Sequence, residues 1–85
     1  MNYEAGMLAW SRAGHDKDKL YVIVKTEGEY VYLSDGRLKP VEHPKKKKIR
    51  HIQIVRQIPE ELLGLNIVTI KNEEIRKAIR RFSNV

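Results

Sequence analysis

"LYVIVKTEGEYVYLSDG", residues 20 to 36, decides the fold. "LYVIVKT" is rich in β-branched and aromatic side chains, which suit a pleated, half-buried surface. "EGE" then makes a turn, and "YVYLS" alternates in polarity up to "DG", a dipeptide suited to a tight hairpin because both positions accept positive φ. Working outward, "AGMLAWS" (residues 5 to 11) reads as a short first strand, separated from residue 20 by the polar loop "RAGHDKDK". Downstream, "RLKPV" reads as a strand weakened by Pro40, which cannot donate to a ladder. A lysine-rich loop at 45 to 48 leads into "IRHIQIV", where Ile52 and Ile54 alternate around Gln53 in a fifth strand. Five short strands in tight succession with no helix between them predict a mainly β protein, a small five-stranded antiparallel barrel.

The C-terminal part changes character. "IPEELLGLNIVTI" contains a possible helical turn at Pro59 to Leu63 and an extended stretch without a clear period. "NEEIRKAIRRF" predicts an α-helix over 72–83, with Asn72 as N-cap, Glu73 and Glu74 at the positive end of its dipole and Arg80 and Arg81 at the negative end. Ile75, Ala78, Ile79 and Phe82 share one face, which is expected to pack on the barrel. The organisation is therefore one domain: a barrel over 1–56 and an extension over 57–85 that carries the helix. A chain of 85 residues with 41% hydrophobic and 33% charged side chains has enough apolar content for one core and no second.

Charge is distributed unevenly. Residues 1 to 36 carry four basic and six acidic side chains, a net of −2, whereas residues 37 to 56 carry eight basic side chains against Glu42 alone, a net of +7. Basicity this localised points to a polyanionic partner, nucleic acid ahead of anionic membrane. Arg37, Lys39, Lys45, Lys46, Lys47, Lys48 and Arg50 are its candidate contacts. Lysine ammonium groups act as point charges towards phosphate and do not read bases. The competing reading of the run is a solvated surface with no partner.

Other chemistries find little support. There is no cysteine, and His15, His43 and His51 lack metal-ligand spacing, so no metal, cofactor or thiol chemistry is expected. The paired carboxylates Glu60–Glu61 and Glu73–Glu74 are adjacent and diverge on a helix; with no nucleophile and base in view, enzyme activity is not expected. The longest apolar runs are about five residues, so no signal peptide or membrane span is expected and the protein is read as cytoplasmic.

The segment "AGHDKDKLYVIV…YVYLSDGRLKPVEHPKKKKIRHIQ" resembles a KOW-type RNA-binding module. It is similar to small bacterial KOW domain proteins related to the fourteen-e group of archaeal and eukaryotic large-subunit ribosomal proteins. The resemblance covers roughly residues 5 to 54, with Gly14 at the position of the motif's glycine, and "NEEIRKAIRRF" resembles the tail helix of the bacterial members. Asp18 stands where such sequences commonly have glycine; aspartate tolerates the left-handed region better than most residues. The resemblance implies an SH3-like barrel, RNA as ligand, ribosomal RNA above all, and a place on or near the ribosome, with ribosomal proteins as possible neighbours and a monomer when free.

Under that resemblance the first loop becomes a second candidate contact. Gly14 allows close backbone approach, and Arg12, His15, Lys17 and Lys19 can reach a phosphate or a base. Arg76, Lys77, Arg80 and Arg81 on the helix extend the footprint as auxiliary contacts. Trp10 and Tyr21 are read as core, while Tyr30 and Tyr32 lie on one face of their strand and share one fate, packing or base stacking. The rival function is a protein–protein adaptor contacting ribosomal proteins or RNA polymerase, in which the basic run only steers encounter.

Overall fold

The computed structural model describes residues 3–84. Five strands, β1 (Leu8–Ser11), β2 (Leu20–Glu27), β3 (Tyr30–Ser34), β4 (Lys45–Lys48) and β5 (Ile52–Val55), precede one α-helix, α1 (Asn72–Ser83). They form one antiparallel sheet in the order β4-β3-β2-β1-β5. β4 and β5 lie at opposite edges, yet only a three-residue 3-10 turn, Ile49–His51, joins them. A flat sheet would separate those edges by four strand spacings, roughly 19 Å, while three residues of 3-10 helix span about 6 Å. The sheet is therefore strongly curled. Ile49 donates to the Glu29 carbonyl at 2.8 Å and Arg12 donates to the His51 carbonyl at 2.7 Å, which pins the turn to both sides. No ladder joins β4 to β5, so the curl is not closed by hydrogen bonds.

Curling gives the sheet an inside and an outside, and each has its own core. Ala9, Tyr21, Ile23, Val31 and Leu33 are buried inside, flanked by Ile49, Ile52 and Ile54. Outside, Leu8, Leu20 and Val22 meet Leu62, Ile70, Ile75 and Ala78, so α1 and the segment before it cover one part of the convex face. Burying an Ile or Leu side chain contributes about 1.5–3 kcal/mol, so Leu62, Ile70 and Ile75 fasten the C-terminal segment firmly. The stretch from 59 to 70 is two 3-10 turns, Glu60–Leu62 and Ile67–Thr69. Its apolar residues have no single period because they make contact one at a time.

Several sequence expectations need correcting. β1 begins at Leu8, because Gly6 takes φ 103° in a turn before it. "RLKPV" is not a strand, and Asp35–Gly36 does not close a two-residue hairpin. Instead Asp35 Oδ1 accepts the backbone N–H groups of Arg37 and Lys39 at 2.9 and 2.8 Å, and Ser34 Oγ donates to the Lys39 carbonyl at 2.7 Å. Side chains that satisfy the backbone locally compete with a ladder, and here they win. The fourth strand is the lysine run itself. The fifth begins at Ile52, three residues later than the pattern suggests, because the 3-10 turn takes up Ile49–His51.

α1 has the expected span, but its cap differs. Lys71 is the N-cap, and the Glu74 carboxylate accepts its backbone N–H at 2.8 Å. Asn72 is the first helical residue and faces the 35–44 connection: its Oδ1 accepts Val41 N–H at 2.8 Å and its Nδ2 donates to Glu42. Gly36 completes the joint. It has φ 73°, a Cβ there would lie 2.5 Å from the Asn72 carbonyl oxygen, and Arg76 donates to its carbonyl at 2.6 Å.

Gly36→Ala should therefore be more costly than Gly28→Ala. Both glycines have positive φ, but nothing lies near the Cβ position at Gly28. Conformation alone costs roughly 1–2 kcal/mol, so urea unfolding should show about that loss at position 28 and a larger one at 36. Equal losses would mean that the helix shifts to make room.

Candidate nucleic-acid interface

Strand geometry divides the lysine run into two pairs. Successive side chains of a strand point to opposite faces, and β4 pairs with β3 in the register Lys45↔Leu33, Lys46↔Tyr32, Lys47↔Val31 and Lys48↔Tyr30. Lys45 and Lys47 follow Leu33 and Val31 inward. Lys46 and Lys48 follow the tyrosines outward.

The inward pair meets the first loop. Lys47 Nζ donates to Asp16 Oδ1, Ser11 Oγ and the Ala13 carbonyl, each at 2.7 Å, and its side chain is 10% exposed. An ammonium has three donors, and all three are used. Lys45 Nζ lies 3.2 Å from Asp16 Oδ2 as an ion pair, and Ser11 Oγ donates to Asp16 Oδ1 at 2.9 Å. Burial alone would raise the Asp16 pKa, but the hydrogen bonds from Lys47, Ser11 and Lys45 outweigh it and hold the carboxyl well below the usual range. Nearby Tyr21 is buried at 2% exposure, and burial, with the negative fields of Asp16 and Asp35, pushes its hydroxyl up to about 12.

The outward pair builds a different surface. Lys46 Nζ lies 4.5 Å from the centroid of Tyr30 and 5.9 Å from that of Tyr32, Lys48 Nζ lies 5.9 Å from Tyr30, and Lys25 Nζ lies 5.2 Å from Tyr32. Lys25 reaches this face through a bulge. The β2–β3 register shifts between Ile23 and Lys25, so Lys25 pairs with Tyr32 although Ile23 pairs with inward Leu33. Without the extra residue Lys25 would point inward. The result is two partly exposed tyrosines on a central strand flanked by three lysines. Two carboxylates adjoin this face: Glu27 Oε1 accepts the Tyr32 hydroxyl at 3.0 Å and lies 3.7 Å from Lys46, and Glu42 lines a groove with Lys25 and Tyr32.

The remaining candidate residues are scattered. Arg12 bonds Gln53 and pairs with Asp18 at 3.5 Å, on the exposed side of the first loop. Gly14 takes φ 83° above the buried cluster, with Lys47 Nζ 3.8 Å from its Cβ position. Asp18 has φ 70°, the one positive value outside glycine among the described residues, so aspartate does occupy the left-handed region here. His15, Lys17, Lys39 and Arg50 are exposed. Arg76 is committed to the Gly36 carbonyl and Arg81 to Glu61 at 3.0 Å. Lys19, Arg37, Arg76 and Arg80 line one groove, while Lys77 and Arg80 border Glu73 and Glu74.

Reading the sequence left Tyr30 and Tyr32 open between packing and base stacking, and it named neither Lys25 nor Asp16 as a site residue. The usable signal was the period of two in "YVYLS", which puts both tyrosines on one face. No group of three or more metal-ligating side chains stands together among the described residues, and no described helix is long and apolar enough to cross a membrane. No protein-family profile matches the chain, and no curated protein matches it.

The Asp16 cluster yields a pH prediction. A carboxyl with a depressed folded pKa contributes stability that is present above its unfolded value, roughly 3.9, and is lost as pH falls below it. Asp16→Asn leaves Lys47 buried without its counter-ion and should cost roughly 3–5 kcal/mol at pH 7. Urea unfolding of both proteins should show this difference narrowing as the pH drops below about 4. A difference independent of pH would show that the charge of Asp16 is not what the fold uses.

Proposed function

We propose that this protein is a non-enzymatic RNA-binding protein, working in the cytoplasm on ribosomal RNA at or near the ribosome, and that the tyrosine–lysine face of β2, β3 and β4 is its main contact surface. The observation that carries the reading is the cross-strand placement of Lys46 over Tyr30 and Tyr32. A lysine resting on an exposed ring contributes about 0.5–1 kcal/mol, whereas a base stacked on that ring is worth about 1–3 kcal/mol. Exchange is therefore favourable: a base takes the ring, and the displaced ammonium finds the adjoining phosphate. Backbone affinity of this kind tolerates sequence, and specificity is left to RNA shape.

The SH3-like KOW barrel is the finer reading of the curled sheet. The short 3-10 turn between the two edge strands supports it, as does the first loop, where Gly14 and Asp18 both take positive φ. The footprint extends from the tyrosine–lysine face towards Arg50 and the first loop, while Lys45 and Lys47 serve it indirectly by holding β4 in place.

The adaptor reading has its own observation. Leu63, Leu65 and Val68 are exposed, Val68 at 86%, and Val68 lines a groove of about 590 Å³ with Val24, Tyr32, Val41, Pro44 and Ile67. A protein partner would use that groove, and its binding would resist nuclease and moderate salt.

Titrating a labelled single-stranded RNA with the protein over a salt series separates the two. Each phosphate contact on a single strand contributes about −0.7 to the log–log salt slope, so Lys46→Ala with Lys48→Ala should reduce its magnitude by about 1.4. Tyr30→Ala should lower affinity by roughly 1–3 kcal/mol. Neither change touches the Asp16 cluster, so the thermal transition should be little altered. An unchanged slope in the double lysine variant would remove this face from the footprint.

A further inference from the structure

We propose a second binding site, for one unstacked nucleotide, in the groove between the first loop, the turn after β3 and α1. The ligand class rests on the RNA reading above; the site itself rests on its own geometry. The groove has a volume of about 640 Å³, within the range of small-ligand sites, and its wall combines Trp10, Leu38 and Ile79 with Lys19, Arg37 and Arg80. An aromatic ring beside aliphatic side chains suits the flat face of a base. Three cations around it suit a phosphate. A free phosphate would gain nothing from the indole, and an acidic peptide without aromatic side chains would offer it nothing to stack.

The charges are available. Lys19, Arg37 and Arg80 are exposed and form no ion pair among the described residues. The two carboxylates that also line the groove are engaged elsewhere: Asp35 Oδ1 accepts two backbone N–H groups, and Asp18 pairs with Arg12. Arg76 is tied to the Gly36 carbonyl, which fixes the groove's floor to α1. Trp10 is half-buried, held from one side by Phe82 at a ring separation of 6.4 Å and a tilt of 60°. Leu38, 71% exposed, adds apolar surface at the rim of this site. An RNA strand crossing the tyrosine–lysine face could place one extruded base here.

Trp10 is the chain's one tryptophan, so its fluorescence reports on this groove alone. Adenosine 5′-monophosphate should quench it saturably, and adenosine or inorganic phosphate far less. Arg37→Ala and Arg80→Ala should each raise the half-saturation concentration about tenfold or more, the loss expected for a hydrogen bond to a charged group. The Lys46→Ala, Lys48→Ala protein should be quenched like the parent while binding RNA more weakly. Anisotropy of a labelled single-stranded RNA, followed in the same samples, separates the failures. RNA bound without any change at Trp10 would overturn the groove and leave the RNA reading intact. Quenching by the mononucleotide without RNA binding would keep the groove and overturn the RNA reading. Quenching that survives both arginine changes would overturn the site as drawn, because Arg37 and Arg80 would not be what holds the phosphate, and silence in both channels would remove both readings.

Discussion

One buried carboxylate sets the geometry on which everything else depends. Asp16 sits at the mouth of the curled sheet and receives Lys47, Lys45 and Ser11. In a flat sheet β4 and β1 would stand three strand spacings apart, about 14 Å; the lysine side chain closes that distance only because the sheet bends. Repulsion between lysines two residues apart on a strand is small, roughly 0.6 kcal/mol at about 7 Å in water-like surroundings. Breaking a buried pair costs several kcal/mol. The comparison explains how four consecutive lysines can form a strand at all: one pair has a buried counter-charge, and the other rests on aromatic rings.

The outer face of the sheet serves two purposes, and the bulge in β2 marks the border between them. On one side of it Leu20 and Val22 are covered by α1. On the other, Lys25 is exposed and Tyr30 and Tyr32 are partly exposed. Lysines on β4 also have an ordinary duty, since charge on an edge strand keeps it from pairing with another chain. In the proposed RNA-binding role, protection of the sheet edge and phosphate affinity would draw on the same residues.

Much of this was legible in the sequence, and what was not has a common cause. The mainly β character, strands β2 and β3, and the helix over 72–83 follow from periodicity and dipole-compatible charges. The nature of the lysine run did not, because a strand made entirely of lysine contradicts propensity and becomes stable only through partners far away in the chain: Asp16, Tyr30 and Tyr32. "RLKPV" carried a strand-like pattern that local bonds from Ser34 and Asp35 overrode. Asn72 looked like a cap because its type suits one, yet its side chain serves a loop some thirty residues upstream. Of the basic residues, composition could supply the set but not the division into structural and solvent-facing members, which needs the register.

The joint between Gly36 and α1 also orders events in time. A ribosome delivers residues 8–55, all five strands, before Asn72 and Arg76 exist to receive the 35–44 connection. Until they emerge, the outer apolar surface of β1 and β2 is uncovered and the connection has no partner for the Val41 amide or the Gly36 carbonyl. The nascent chain therefore passes through a stage in which the inner core can form while the outer one stays open, and the outer face of β1 and β2 is covered only when α1 docks.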